Sequence, residues 1–267
     1  MIDAHLHLQD CVGELSSQEL LTQLHDLGVT ALMVNGTSPE DWNEISELAS
    51  SSATIVPSFG IHPWKVENVP ANWEEQLSFL LNKFPEAGVG EIGLDKWISG
   101  YDLPLQRDFF TRQLSVARNL RRHVTIHCLQ AWGSLYDCLR ESSFSLPFLL
   151  HSYSGPGEML KDWVDLGAFF SISPYFFRKD KSRKLEVFKA IPEHRLLLET
   201  DAPDMAFGEG EARYHGKGMK NHPANIELLY ERYAEWSGKS AGEVVKLMER
   251  NFCQFRDTTS TKLPARE

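Results

Sequence analysis

The sequence predicts a (β/α)8 barrel, a TIM barrel in a single domain, and three observations carry that expectation. Short apolar runs alternate with amphipathic stretches about eight times along the 267 residues. The apolar runs are of the kind buried on both faces, which suits a parallel sheet covered by helices. No composition shift, Pro/Ser-rich linker, repeat or low-complexity segment divides the chain, so one domain over residues 1–257 with a polar tail at 258–267 is the economical reading. Alternation of this kind implies βαβ units, and eight of them at this length suit a closed barrel; a doubly wound open sheet is the structural alternative.

The first strand opens the chain with Met1-Ile2-Asp3-Ala4-His5-Leu6-His7-Leu8. Ser16 or Ser17 can cap a helix running to about Asp26, with Leu20, Leu21 and Leu24 as its apolar stripe and Gly28 closing it. Residues 29–34 form the second strand, before the turn at Asn35-Gly36-Thr37, and a helix from about Pro39 turns Trp42, Ile45 and Leu48 inward. Strand three spans 54–59, and 73–83 reads as helix from Leu77, Leu80 and Leu81. Strand four, 88–92, carries Glu91; after a helix at 105–120, strand five, 124–128, carries His127. A helix at 132–140 leads to strand six, 148–151, which ends in His151. Helix 158–166, strand 168–172, helix 181–190 and strand 195–200 follow, with Asp201 directly after the last strand. Helices over 223–236 and 241–251 complete the pattern.

Composition narrows the class. Hydrophobic residues make up 42% and charged residues 24%, as in an ordinary globular protein. A net charge of −10 opposes chain-wide attraction to nucleic acid or anionic membrane, although a local basic patch acts over only about 10 Å and is not excluded. Cys11, Cys128, Cys138 and Cys253 form no C-x-x-C pair, which points to a reducing compartment. With no basic-then-apolar leader and no apolar run near the roughly 20 residues of a membrane span, a cytoplasmic location is expected.

The chemistry-bearing residues fall at strand ends. A strand shows alternate residues on one face, so His5 and His7 project together. Glu91, His127, His151 and Asp201 mark the ends of strands four, five, six and eight, which in a barrel open onto the same rim. Four histidines and two carboxylates converging there are costly to leave unpaired, and divalent metal satisfies them. Six ligands suit two ions. His5, His7 and Asp201 would hold one, His127 and His151 the other, and Glu91 would bridge them. Ions roughly 3.5–4 Å apart can share a hydroxide and clamp the attacking and leaving oxygens of a displacement. Zn, Mn, Fe or Ni suits such ligands, Mg less well. Asp201 is also a candidate base for the attacking water, and Glu91 and Asp201 are the catalytic carboxylates of this scheme. Glu199 and Asp3 lie in the same strands and read as supports behind the ligands.

Several motifs now form a series. Ile2-Asp3-Ala4-His5-Leu6-His7, Gly60-Ile61-His62-Pro63, Gly90-Glu91-Ile92-Gly93-Leu94-Asp95 and Ile126-His127-Cys128 are followed by Leu150-His151-Ser152-Tyr153-Ser154-Gly155, Leu197-Leu198-Glu199-Thr200-Asp201-Ala202-Pro203 and Pro223-Ala224-Asn225. In order and content this series resembles the TatD family. The resemblance implies a metal-dependent hydrolase of the amidohydrolase superfamily with DNase activity in characterised members, and it matches each family ligand to His5, His7, Glu91, His127, His151 and Asp201. Two features depart from the family: Lys220-Asn221-His222-Pro223 stands where an Arg-Asn-Glu-Pro-like segment is usual, and the loop 205–219 is unusual in composition and glycine-rich. Both bear on substrate.

Around this set, His62 can touch substrate or simply hold a turn before Pro63. Arg178, Lys179, Lys181, Arg183 and Lys184 cluster after strand seven, and His215, Lys217, Lys220 and His222 after strand eight; together they can receive a phosphodiester, or the first group can be a solvated helix face. Trp97, Tyr101, Trp132, Tyr153 and Tyr175 lie in or near rim loops and can stack bases. Cys128 alternates away from His127 and is no ligand. The expected activity is a two-metal phosphodiesterase, a deoxyribonuclease acting on DNA ends or single strands. Hydrolysis of a small ester, lactone, amide or phosphate ester is the alternative, and a non-catalytic metal-bound protein acting through partners the third.

Overall fold

In the computed structural model, which describes residues 1–11 and 15–259, eight parallel strands follow one another around a single sheet in sequence order. They are β1 (Ile2–Leu6), β2 (Ala31–Asn35), β3 (Ile55–Phe59), β4 (Gly88–Asp95), β5 (Val124–Leu129), β6 (Phe148–Leu150), β7 (Ala168–Ile172) and β8 (Leu196–Leu198). Between them run α1 (Ser17–Asp26), α2 (Trp42–Ser51), α3 (Trp73–Lys83), α4 (Leu103–Asn119), α5 (Trp132–Glu141), α6 (Leu160–Asp165) and α7 (Ser182–Val187), and α8 (Ile226–Ser237) and α9 (Ala241–Arg256) close the chain. The barrel of the sequence expectation is therefore present, and the open sheet is not. Among the described residues no helix is long and apolar enough to cross a membrane. Of the expected polar tail, residues 260–267 lie outside the described residues.

The seam between first and last strand is made by polar groups. The Asp201 N–H donates to the His5 carbonyl at 2.9 Å, and the His7 N–H donates to the Ala202 carbonyl at 2.8 Å. Below them the buried Asp3 carboxylate accepts the Thr200 N–H at 2.9 Å and the Thr200 hydroxyl at 2.6 Å. Each helix turns an apolar stripe to the sheet, with Leu20, Leu21 and Leu24 doing so in α1 and Leu77 and Leu81 in α3. Ser16 and Glu19 form a capping box before α1, and Ser240 and Glu243 form another before α9. Gly238, at φ 70°, ends α8 in the left-handed conformation that a Cβ disfavours.

Boundaries differ from the periodic reading in two instructive places. The helix expected from Pro39 starts at Trp42, because the Asp41 carboxylate accepts the Thr37 N–H at 2.7 Å and its hydroxyl at 2.8 Å, closing a turn first. β4 continues to Asp95 rather than stopping at Ile92. Gly93 looks like a strand breaker, yet at φ 156° it lets the β5 backbone close in, where any Cβ would collide with the His127 carbonyl.

Candidate metal centre

The barrel's C-terminal mouth gathers His5, His7, Glu91, His127, His151 and Asp201 into one cluster, with Glu91 at its centre and all but the half-buried His7 buried. Its two oxygens face different partners. Oε2 lies 3.4 Å from His5 Nε2 and 3.2 Å from His7 Nε2. Oε1 lies 2.9 Å from His127 Nδ1, 2.8 Å from His151 Nε2 and 3.4 Å from His62 Nε2. Asp201 Oδ1 stands 3.4 Å from His5 Nε2 and 3.8 Å from His7 Nε2.

Local breaks in the ladders aim these side chains. The β1–β2 register shifts between Asp3 and Leu6, bracketing His5, and the β4–β5 register shifts between Val89 and Ile92, bracketing Glu91. A break of this kind re-aims the residue it contains. The Glu91 N–H accordingly leaves the ladder and donates to the Gly36 carbonyl at 2.7 Å. Asp201 sits at φ 50°, a left-handed conformation that Asp tolerates better than most residues.

Fixed partners decide which ring nitrogen faces the cluster. A carbonyl only accepts, so His7 donates Nδ1–H to Asn35 O at 2.9 Å, and its neutral form turns the Nε2 lone pair inward. His127 donates Nε2–H to Asp95 Oδ2 at 2.8 Å and turns Nδ1 inward. His62 is the opposite case: its Nδ1 accepts the Trp64 N–H at 3.2 Å, so its neutral form presents an Nε2–H donor. Although His62, Glu91 and His127 stand close enough to share an ion, this tautomer makes His62 a hydrogen-bond donor toward the cluster.

Charge follows the same division. Burial raises Glu91, but the charge of His151 and the hydrogen bond from His127 overcome it and hold the carboxyl well below its usual range. Burial also lowers His7, yet Glu91 holds its imidazole up at about 9. Burial takes His62 down to about 4, with His127 adding to the effect, so His62 is neutral at pH 7. Asp3 is pushed up to about 7 by burial.

The donor set fits divalent metal. His5 Nε2 and His7 Nε2 are 3.3 Å apart, as are His127 Nδ1 and His151 Nε2. Two nitrogens each about 2.0–2.1 Å from one tetrahedral ion stand about 3.3–3.4 Å apart. His5 Nδ1 is buried with no hydrogen-bond partner among the described residues. His5, His7 and Asp201 form one group able to hold an ion, and a second such group combines His5, His151 and Glu199.

Other expected residues are distributed around this cluster. Glu199 Oε1 accepts the Ser152 N–H at 2.8 Å and hydroxyl at 2.7 Å and lies 3.5 Å from His151 Nδ1. Asp3 reaches the His5 backbone N–H at 3.3 Å, not its ring. Arg178 and Lys181 both pair with Asp180, at 3.4 and 2.7 Å, and Lys220 pairs with Asp204 at 2.7 Å. His215 and Lys217 are exposed. His222 is buried, its Nδ1 accepting the Ala224 N–H at 3.1 Å. Tyr153, expected as a rim aromatic, is instead a core residue: its ring packs on Trp132 and Phe170, and its hydroxyl donates to Pro156 O.

Two residues of the site escaped the sequence reading. Asp95 orients His127, and Trp64 Nε1 in turn donates to Asp95 Oδ2 at 2.8 Å. A two-residue period from Glu91 through Gly93 to Asp95 was the available signal for the first.

A barrel of this topology, with imidazoles and carboxylates converged at its C-terminal mouth, defines a metal-dependent hydrolase. The chain belongs to the TatD related DNase family, whose model matches residues 2–256. It is 25% identical over 254 residues to the 3'-5' ssDNA/RNA exonuclease TatD of Shigella flexneri, covering 94% of this chain and 96% of that one. It is 27% identical to the human deoxyribonuclease TATDN3, covering 94% and 92%. The solved structure of the TatD homologue YJJV from Escherichia coli K12 matches with a TM-score of 0.85 at 25% identity, over 96% of this chain and 97% of that one.

Proposed function

We propose that the protein is a nuclease that hydrolyses phosphodiester bonds of DNA, at ends or in single strands, with two divalent ions. The observation that carries this reading is the division of Glu91 between two imidazole groups, Oε2 toward His5 and His7 and Oε1 toward His127 and His151. His5, His7 and Asp201 would hold one ion and His127 and His151 the other, with Glu91 shared. The nuclease names of the Shigella and human relatives support the substrate.

Divalent ions supply Lewis acidity, which activates water and neutralises charge on a phosphoryl oxygen. The chain's own residues do the rest. Asp201, held below the ordinary carboxyl range against burial by His5 and His151, stays ionised and accepts the proton as water attacks. His62 donates Nε2–H toward a phosphoryl oxygen without adding charge of its own. Asp95 and Glu199 hold His127 and His151 in orientation. Burial of the cluster keeps bulk water from competing with these contacts.

The test is cleavage of labelled single-stranded DNA by protein loaded with Mn, Zn or Mg, beside His127→Ala and Asp201→Ala. Both variants are expected to lose on the order of a hundredfold or more in rate. Equal rates for all three proteins would overturn the reading. Rapid turnover of lactones or amides with no DNA cleavage would replace it with the small-ester alternative.

A further inference from the structure

Two exposed indoles adjoin the cluster. Trp64 is 45% and Trp97 63% exposed, unusual for side chains that normally bury most of their surface. Their rings stack with centroids 6.4 Å apart and planes at 29°. Trp64 also meets His62 at 4.9 Å and His127 at 6.0 Å, both edgewise, so the pair starts at the wall of the metal centre and extends from it. One carboxylate secures both: Asp95 Oδ2 accepts Trp64 Nε1–H at 2.8 Å, and Asp95 Oδ1 accepts the Trp97 backbone N–H at 2.6 Å. Tyr101, 43% exposed, follows in the same loop.

The overall charge of the chain opposes a polynucleotide. The chain carries −10 net charge. Of the cations after β7 and β8, Arg178 and Lys181 pair with Asp180, Lys220 with Asp204, and Arg213 with Glu227 and Glu231, while Lys65 and Lys96 adjoin the two tryptophans in the chain. Base–aromatic stacking is sequence-tolerant and needs no net charge, so the exposed indoles add affinity that an acidic chain does not supply through its overall charge.

We propose that Trp64 and Trp97 form a nucleobase-stacking subsite, which holds an unpaired base of a single-stranded oligonucleotide beside the bond to be cut. This rests on the phosphodiesterase reading above. Paired bases inside a duplex have no free face to offer, so the subsite selects unpaired strands. Asp95 links the subsite to the centre, since the carboxylate that fixes both tryptophans also orients His127.

The test uses the metal-loaded full chain and a fluorescent, cleavage-resistant phosphorothioate strand, followed by anisotropy. Wild type, Trp97→Ala and Trp97→Phe are compared on a base-bearing strand and on its abasic counterpart. Trp97→Ala is expected to weaken binding of the base-bearing strand about tenfold or more, with Trp97→Phe restoring most of it. The abasic strand should bind all three proteins equally weakly. Unchanged affinity in Trp97→Ala, or equal losses on both strands, would overturn the subsite. Trp97-dependent binding without cleavage of any phosphodiester would leave the subsite standing and remove the nuclease reading; cleavage without Trp97-dependent binding would do the reverse.

Discussion

His127 faces the cluster through Nδ1 because its other nitrogen is held by Asp95. Replacing Asp95 by Asn removes the charge that fixes this tautomer, and divalent-metal affinity is expected to fall 10- to 100-fold in a calorimetric titration, by about the usual effect of losing such a partner. His62 separates from the ligands by the same reasoning. His62→Ala should leave metal content, measured by elemental analysis, near wild type while lowering kcat about tenfold or more; loss of metal would make His62 a ligand instead. His5, His7, Glu91, His127, His151 and Asp201 were legible in the sequence because chemistry-bearing types recurred where apolar strands end. Trp64 was not, since its role depends on a loop folding back across 31 positions of chain, and Asp95 was not, since it joins the site only because β4 runs on past Gly93 beside β5. Tyr153 misled because proximity to a rim loop says nothing about which way a ring turns.

Elements were read well wherever hydrophobic period alone decides them. All eight strands lie close to where their apolar runs place them, and the capping box at Ser16 and Glu19 sets the start of α1. Ends governed by a side chain binding backbone, as at Asp41, or by close approach of two strands, as at Gly93, carry no periodic signal. Gly93 gives the sharpest prediction at this scale. Gly93→Ala places a methyl group against the His127 carbonyl in a left-handed backbone conformation. A loss of about 2 kcal/mol or more is expected in urea denaturation, and metal affinity should drop with it because β4 and β5 carry Glu91 and His127.

For the whole molecule, pH dependence of stability has one clear source away from the centre. His123 is buried against Phe255, and burial, with Arg256 and Arg122 nearby, takes its pKa from 6.5 down to about 3. The unfolded chain therefore binds more protons between those values, so stability falls as pH drops from about 6.5 toward 3. His123→Gln should flatten the dependence of the urea midpoint on pH across that window; an unaltered slope would assign it to other groups. Divalent metal acts in the other direction: if it binds only the folded chain, metal at 100 times its Kd should stabilise by about 2.7 kcal/mol, read as a rise in Tm that chelator reverses. The polar seam between β1 and β8 bears on how the molecule assembles over time. Asp3 and Thr200 lie 197 positions apart, so the loop that their contact closes takes in most of the 267 residues. β4, β5 and β6 are neighbours both in sequence and in the sheet, so Glu91, His127 and His151 can come together on a half-formed barrel, whereas His5, His7 and Asp201 meet only when the two ends of the chain join. On a ribosome, the first group can be in place while the last third of the polypeptide is still being made, and the second must wait for residue 201 to emerge.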